Sequence, residues 1–183
     1  MIFGQPISGR DTKGCSFLYV KKEFQNLFDP LVVSWGYESA YPSHSQFLDY
    51  HQAQGTRDFS AFLTVPKAIE FLKENNWIKV AAECRELARK NYVRFCDLLG
   101  SKPLCPVTDE FLGQMCSISI KTAQPEKLQR LLFEKYKIEI PVMKHADYVF
   151  IRYSIQGYNI QQDLDFLYTA LEEIIAGKDL IQL

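Results

Sequence analysis

The chain has 183 residues, of which 47% are hydrophobic and 14% aromatic, and this content predicts a globular protein that buries one substantial core or two small ones. Its 21 basic and 22 acidic residues give a formal net charge of -1, which excludes the electrostatic footprint of a nucleic-acid-binding or membrane-surface protein. The longest apolar runs, such as Leu31–Val33 and Ile174–Ala176, are far shorter than the roughly 20 residues of a membrane-spanning helix. We therefore expect a soluble, cytoplasmic protein.

Cysteine and histidine spacing predicts no metal site. The five cysteines form an odd set without a Cys-x-x-Cys pair, which is typical of reduced thiols in a cytosol. The three histidines lack His-Glu-x-x-His spacing and have no cysteines beside them. The first 14 residues also lack the continuous apolar segment of a signal peptide.

The N-terminal part of the chain predicts two strands, a long loop and a helix. Cys15–Val20 and Leu31–Trp35 are short apolar runs rich in β-prone residues, so we expect both to be buried strands. Residues 36–55 carry Tyr, Ser, Pro, His and Gln without sustained periodicity, which predicts a long loop. A helix over residues 58–73, kinked at Pro66, is expected to follow.

A longer amphipathic helix is predicted over Ile78–Leu99. Its apolar residues recur at spacings of three and four and form one face: Ala81, Cys84, Ala88, Tyr92, Phe95 and Leu99. Gly100 lies just past this helix, and Pro103 and Pro106 follow, a combination that ends helices. We therefore expect a domain boundary near residue 100, and we expect the helix to join the two domains.

The last third of the chain predicts a compact βαββα unit. Its elements in order are strand Met115–Ile120, helix Pro125–Tyr136, strand Ile138–Met143, strand Tyr148–Ile155 and helix Ile160–Ala176. The two helices are expected to cover one face of a three-stranded, largely antiparallel sheet. Asn159 and Gln162 are placed as the capping pair of the last helix.

The sequence has no Walker loop, dinucleotide fingerprint or Ser-His-Asp elbow, so no short motif indicates a reaction. Longer patterns do point to a family. Three groups of residues stand in the order and spacing of one family: Lys13–Val20; Leu31–Gly36 with Gly55–Asp58 and Ser60–Leu72; and Ile151–Ile155 with Tyr158–Asn159. Together they resemble class V aminotransferases, which use pyridoxal 5'-phosphate. The second group resembles the isopenicillin N epimerase-like branch, which includes cysteine desulfhydrase-like members.

The resemblance implies a cofactor-phosphate site at Gly55, Thr56 and Arg57. In this family the matching Gly-Thr pair offers backbone N–H and hydroxyl donors at a helix N-terminus to the cofactor of the neighbouring subunit, so a dimer would be needed. Arg57 is expected either to assist the phosphate or to brace the loop. The alternative is that Thr56 and Asp58 only cap the following helix.

Arg152 is the residue that the resemblance assigns to the amino-acid substrate. It lies within a predicted strand among Ile151, Tyr153 and Ile155, where a guanidinium is unusual unless it meets an anion. In the family, the matching arginine binds the α-carboxylate of the substrate through a bidentate pair. The alternative is a surface strand on which Arg152 simply alternates outward.

Two departures from the family limit the activity that we expect. The loop before the arginine strand, Met143–Asp147, contains no cysteine, so persulfide chemistry is not expected and the cysteines are interpreted as core or surface thiols. The family's Schiff-base lysine would fall near Ile7, but no lysine precedes Lys13, and residues 1–12 depart from the family pattern. We therefore expect no catalytic residue in this chain and no activity from it alone.

The expected fold class is α/β, as the C-terminal fragment of a fold type I transferase that depends on pyridoxal 5'-phosphate. Its domains would be a remnant of the cofactor-binding large domain at 1–57, bridging helices at 58–100 and a small α+β domain at 101–183. The implied parent activity is epimerisation, transamination or β-elimination of an amino acid, carried out by a homodimer. The alternative is a noncatalytic subunit that pairs with a complete homologue.

Overall fold

The computed structural model describes residues 2–3, 17–178 and 180–183. The chain divides into two units, Met1–Asn75 and Asn76–Leu183, and the second contains nearly all of the buried residues. The first two residues of the predicted strand Cys15–Val20 lie outside the described residues. So do Lys13 and the position near Ile7. Of the remaining four residues of that strand, only Leu18–Tyr19 form a strand, and because they are 39% and 55% exposed, the predicted burial of this strand is wrong for them.

Short elements make up the first unit: β1 at Ile2–Phe3, β2 at Leu18–Tyr19, a 3-10 helix at Lys22–Leu27, α1 at Gln46–His51 and α2 at Ser60–Glu74. β1 pairs antiparallel with β2. Helix α2 confirms the helix predicted over residues 58–73, and it contains Pro66. Among the described residues of this unit only Val20 and Ser34 are buried, so these elements enclose no hydrophobic core.

The predicted strand Leu31–Trp35 is wrong. The segment forms bends and turns, and Leu31 and Trp35 are 104% and 79% exposed. A strand obtains its hydrogen bonds from a neighbouring strand, and in the described part of the first unit no strand pairs with this segment. The Trp35 N–H donates instead to the carbonyl of Ala53, 2.9 Å away, which closes a loop.

The predicted long loop over residues 36–55 contains helix α1, so that prediction is wrong in its centre. The Ser45 hydroxyl accepts a hydrogen bond from the Leu48 N–H at 3.3 Å and caps the helix. Only two turns form, too few for a hydrophobic period to appear in the sequence. Ser45 was the available signal, since serine favours the position before a helix.

The second unit combines a three-stranded antiparallel sheet with three helices. Its elements are α3 at Trp77–Leu98, β3 at Met115–Ile120, α4 at Pro125–Tyr136, β4 at Val142–His145, β5 at Tyr148–Ser154 and α5 at Gln161–Gly177. The strand order is β3-β5-β4, with β5 in the centre. The predicted βαββα unit is thereby confirmed, and α3 adds a third helix to it.

One hydrophobic core lies between the sheet and the helices. The inward side chains of β3 and β5 alternate along each strand: Cys116, Ile118, Ile120, Val149, Ile151 and Tyr153. Helix α3 contributes Phe95, α4 contributes Leu132 and α5 contributes Leu171, and none of these three is exposed. The apolar face predicted for α3 is confirmed, because five of its six members are buried and Ala81 is half-buried.

Strand β4 begins later than predicted, at Val142 and not at Ile138. Helix α4 ends with Lys137 in the left-handed conformation, at φ 58°, and the Ile138 N–H donates to the Leu132 carbonyl at 2.9 Å. This hydrogen bond belongs to the helix C-terminus. Pro141 has no N–H to donate to a strand ladder, so pairing starts at Val142.

Helices α3 and α5 are joined by a polar cluster. Asn91 is 2% exposed and exchanges two hydrogen bonds with Gln161, at 3.0 and 2.9 Å. Arg94 forms an ion pair with Asp165, and its guanidinium lies 4.0 Å from the centre of the Tyr168 ring. Hydrogen bonds from Arg94 and Gln161 hold the pKa of Asp165 below the usual value of an aspartate.

Within the described ranges, no helix combines the length and the apolar character that a membrane crossing requires. The same residues include no group of three His, Cys, Asp or Glu side chains placed to hold a metal ion.

Candidate functional site

The loop that leads into α2 carries Gly55, Thr56 and Arg57. Gly55 has φ 125°, a conformation that side-chain-bearing residues rarely adopt, so the turn favours glycine. A Cβ added to Gly55 would lie 3.8 Å from the Trp35 indole nitrogen, an ordinary contact distance. Thr56 and Arg57 are exposed on the surface of the first unit.

The donors of this loop are available to an anion. In the described part of the chain, the backbone N–H groups of Gly55, Thr56 and Arg57 and the Thr56 hydroxyl have no hydrogen-bond acceptor. The Arg57 guanidinium lies over the rings of Phe62 and Phe59, 4.6 and 5.8 Å from their centres. Stacking uses the face of the guanidinium and leaves its N–H edge free. The donor set is therefore chemically suited to a phosphate.

The Asp58 side chain closes the turn that leads into helix α2. Helix α2 begins at Ser60, and the Asp58 carboxylate accepts hydrogen bonds from the Ser60 N–H at 2.8 Å and from its hydroxyl at 2.9 Å. These bonds lower the pKa of Asp58, so it remains charged at neutral pH. Phe59, the residue directly before the helix, makes no side-chain capping hydrogen bond, so Asp58 binds the first helical N–H from one position further back. Gly55 and Thr56 lie in the preceding loop.

Arg152 lies near the middle of the central strand β5. Its N–H donates to the carbonyl of Pro141 at 3.2 Å on one side, and Ser117 of β3 is its direct partner on the other. Arg152 and Ser117 point away from the core, as the alternation of buried and half-buried residues along both strands indicates. Arg152 therefore occupies the sheet face opposite the helices.

No carboxylate in the described residues forms an ion pair with Arg152. Its Nε atom is buried and has no hydrogen-bond partner. Buried guanidinium donors in proteins are normally paired, so this arginine differs from Arg89 and Arg94, which both have acidic partners. The charge of the guanidinium is therefore not balanced by an acidic side chain among the described residues.

The turn after β5 is fixed by packing. A Cβ added to Gly157 would lie 2.9 Å from Cη2 of Trp77 and 3.0 Å from Cγ1 of Val80, so the turn contacts α3 through a glycine. The Asn159 side chain accepts from the Gln156 N–H at 2.9 Å. The predicted capping role of Asn159 is wrong, because the Asp163 carboxylate accepts from the Ile160 N–H and caps α5.

The sequence comparisons agree with the arrangement of these residues along the chain. Residues 11–167 match the sequence profile of the family described as Aminotransferase class-V. The chain belongs to the class V aminotransferase family.

Among curated class V relatives, the isopenicillin N epimerases of Amycolatopsis lactamdurans and Streptomyces clavuligerus are 28% and 27% identical to it over 171 and 172 residues. A putative L-cysteine desulfhydrase 1 of Oryza sativa subsp. japonica is 23% identical over 194 residues. Each alignment covers 88% of this chain, but only 43%, 43% and 37% of the respective relatives. The chain therefore spans less than half the length of the curated relatives that it matches.

The fold is shared with a solved structure, 8-amino-7-oxononanoate synthase from Francisella tularensis. The two superpose with a TM-score of 0.52 at 14% sequence identity, over 72% of this chain and 36% of that chain. The predicted fold class, a fragment of this α/β fold, is confirmed.

The four cysteines in the described part of this class V chain lie in or beside its core. Cys84, Cys96 and Cys116 are buried, and Cys105 is half-buried. Burial raises the pKa of the Cys96 and Cys116 thiols, which keeps them protonated and unreactive at neutral pH. Of the two interpretations, core or surface thiols, Cys84, Cys96 and Cys116 are core thiols.

Sequence patterns alone did not identify Ser117 as the neighbour of Arg152. The alternation Cys-Ser-Ile-Ser-Ile indicates which β3 residues face away from the core. It does not give the register between β3 and β5, which pairs Ser117 with Arg152.

Proposed function

We propose that this chain is the C-terminal part of a class V protein that converts an amino acid by epimerisation, transamination or elimination on pyridoxal 5'-phosphate. The observation that carries the proposal is Arg152, a guanidinium on the sheet face opposite the helices that has no acidic partner among the described residues. Two curated relatives are named isopenicillin N epimerase, and one is named putative L-cysteine desulfhydrase. The family assignment supports a substrate with an α-carboxylate.

In this proposal Arg152 binds the substrate carboxylate. A guanidinium offers two parallel N–H groups that match the two oxygens of a carboxylate, which gives orientation as well as affinity. Strand β5 is hydrogen-bonded on both sides, so the backbone of Arg152 is held rigidly. A rigid arginine fixes one end of the amino acid and thereby directs its Cα.

Gly55, Thr56 and Arg57 are proposed to bind the cofactor phosphate, in a site that a neighbouring subunit completes. Their unpaired N–H groups, the Thr56 hydroxyl and the Arg57 guanidinium are the donors that a phosphate requires. When bound, the cofactor would supply an electron sink for the bonds at the substrate Cα. The residues of this chain would hold and orient the two anionic groups.

The proton transfer at Cα is proposed to depend on a lysine outside this sequence. No lysine precedes Lys13, and the family's lysine would fall near Ile7. The chain alone is therefore proposed to be inactive. Activity would require a large domain that carries the lysine.

Binding of L-alanine, measured by saturation-transfer NMR on the full chain, tests the role of Arg152. Its matched control ligand is L-alaninol, which keeps the amine and replaces the carboxylate by a hydroxymethyl group. We expect L-alanine to bind the wild type and not Arg152→Gln, and L-alaninol to bind neither. Equal binding of both ligands, or full binding by Arg152→Gln, would contradict the proposal.

Comparison of pyridoxal 5'-phosphate with pyridoxal tests the phosphate loop. We expect the phosphate ester to bind more tightly, and Thr56→Val to reduce that preference by about tenfold, since a hydrogen bond to a charged group contributes about 1.5–3 kcal/mol. Thr64→Val, in α2, is the control because the Thr64 hydroxyl donates to the helix carbonyl of Ala61. An unchanged preference in Thr56→Val would refute the assignment.

A second candidate function is a noncatalytic subunit that pairs with a complete homologue. The exposed apolar side chains of Leu31, Val33 and Trp35 favour it, because soluble proteins rarely leave such a continuous segment uncovered. Multi-angle light scattering of the full chain over a range of concentrations tests it. A monomer at all concentrations would argue against a homodimer, and the absence of a complex after mixing with a complete class V homologue would argue against this candidate.

A further inference from the structure

The Nε–H of Arg152 is a buried donor that no group in the described residues accepts. A buried, unpaired donor is costly to a folded protein and calls for a structural explanation. Because the atom is covered, a carboxylate from solvent does not reach the Nε side of the guanidinium. The ligand would meet the two terminal NH2 groups instead.

Ser117 is the polar side chain best placed to accept this N–H. It lies directly opposite Arg152 in the antiparallel β3–β5 pair, and directly opposed side chains share one face with Cβ atoms about 4.5–5.5 Å apart. The Ser117 hydroxyl makes no hydrogen bond within the described part of the chain. On the other side of Arg152, Pro141 offers no polar side-chain atom, and its carbonyl already accepts the Arg152 backbone N–H.

We propose that the Ser117 hydroxyl accepts the Nε–H of Arg152 and thereby orients the guanidinium toward its ligand. The hydroxyl reaches this position by rotation about χ1, between staggered rotamers. The two terminal NH2 groups then project together and bind a carboxylate end-on. Ser117 is a positioning residue, and its effect on affinity rests on the proposed function of Arg152.

The direct test is NMR of the Arg152 Nε–Hε group in the full, 15N-labelled chain, with the signal assigned by its loss in Arg152→Lys. We expect hydrogen exchange at Hε to be at least about tenfold faster in Ser117→Ala than in the wild type, since a hydrogen bond from a charged donor corresponds to a factor of about ten or more. Ser117→Thr keeps the hydroxyl and should restore slow exchange. Ser119→Ala is the control, one position further along the same face of β3.

Unchanged Hε exchange in Ser117→Ala, or acceleration that Ser117→Thr does not reverse, would overturn the inference. Binding of L-alanine separates this inference from the proposed function. If Ser117→Ala alters Hε exchange but the wild type does not bind L-alanine, the hydrogen bond stands and the substrate role of Arg152 fails. If the wild type binds L-alanine and Ser117→Ala leaves Hε exchange unchanged, only the role of Ser117 fails.

Discussion

Replacing Leu132 with alanine is expected to destabilise the second unit by about 3 kcal/mol. Leu132 is 0% exposed in helix α4, within the single core of that unit. The substitution removes three buried carbon groups, worth about 0.8 kcal/mol each, and the remaining cavity adds a further cost. The matched control is Leu63→Ala in helix α2, because Leu63 is 79% exposed and its loss should change stability by less than about 0.5 kcal/mol.

Urea denaturation followed by Trp77 fluorescence measures this difference. The background variant Trp35→Phe removes the other tryptophan, which is largely exposed in the first unit. With a urea dependence of about 1.5 kcal/mol per molar, Leu132→Ala should lower the midpoint by about 2 M, and Leu63→Ala should leave it unchanged. Equal shifts in the two variants would refute the assignment of the core to the second unit.

Three further outcomes follow from the packing and the charges. Gly157→Ala should cost about 1–3 kcal/mol in the same urea assay, because the new Cβ would lie 2.9 Å from Trp77, and Trp77→Phe should recover part of the loss as followed by circular dichroism. Because the folded-state pKa of Asp165 is lowered, its stabilisation is present at neutral pH and is lost as pH falls through that lowered pKa, below about 4. The stability difference between wild type and Asp165→Asn should therefore shrink in acid, and a constant difference from pH 7 to pH 3 would contradict this. Val33→Asp should reduce self-association on gel filtration, whereas Val93→Asp, on the exposed side of α3, should not.

The helices and strands of the second unit could be predicted from sequence because their apolar residues pack against one another within that unit. Apolar residues alternate along Met115–Ile120 and recur at spacings of three and four in α3 and α5. These apolar residues are the ones that pack into the core of the unit. Pro125 at the start of α4 fixed that helix boundary to the residue. The predicted start of β4 is wrong because Ile138, although apolar and β-branched, donates its N–H to the Leu132 carbonyl at the C-terminus of α4.

The first unit could not be predicted in the same way. Leu31–Trp35 has the composition of a buried strand, but strand formation depends on a neighbour, and residues 17–75 supply none. The side chains of this segment are therefore of the apolar type that proteins usually bury, although the described residues leave them exposed. Helix α1 was missed for a different reason, since its six residues are too few to show a period.

The residues of the candidate site were proposed from the sequence, and the structure adds the local geometry around them. Arg152 stands out in the sequence as a cation within an apolar strand, and Gly55–Arg57 stand out through the family resemblance. The role of Asp58 as the acceptor of the Ser60 N–H and hydroxyl is visible only in the structure. The pairing of Ser117 with Arg152 required the strand register.

Under the proposed function, this class V chain holds groups that orient a cofactor and a substrate, and the lysine that bonds to the cofactor lies outside this sequence. The most direct measurement is borohydride reduction of the full chain with pyridoxal 5'-phosphate after dialysis, followed by peptide mapping. We predict that no single lysine retains the cofactor in stoichiometric amount. Retention of one cofactor per chain at one defined lysine, such as Lys13, would contradict the account and establish a working site within this sequence.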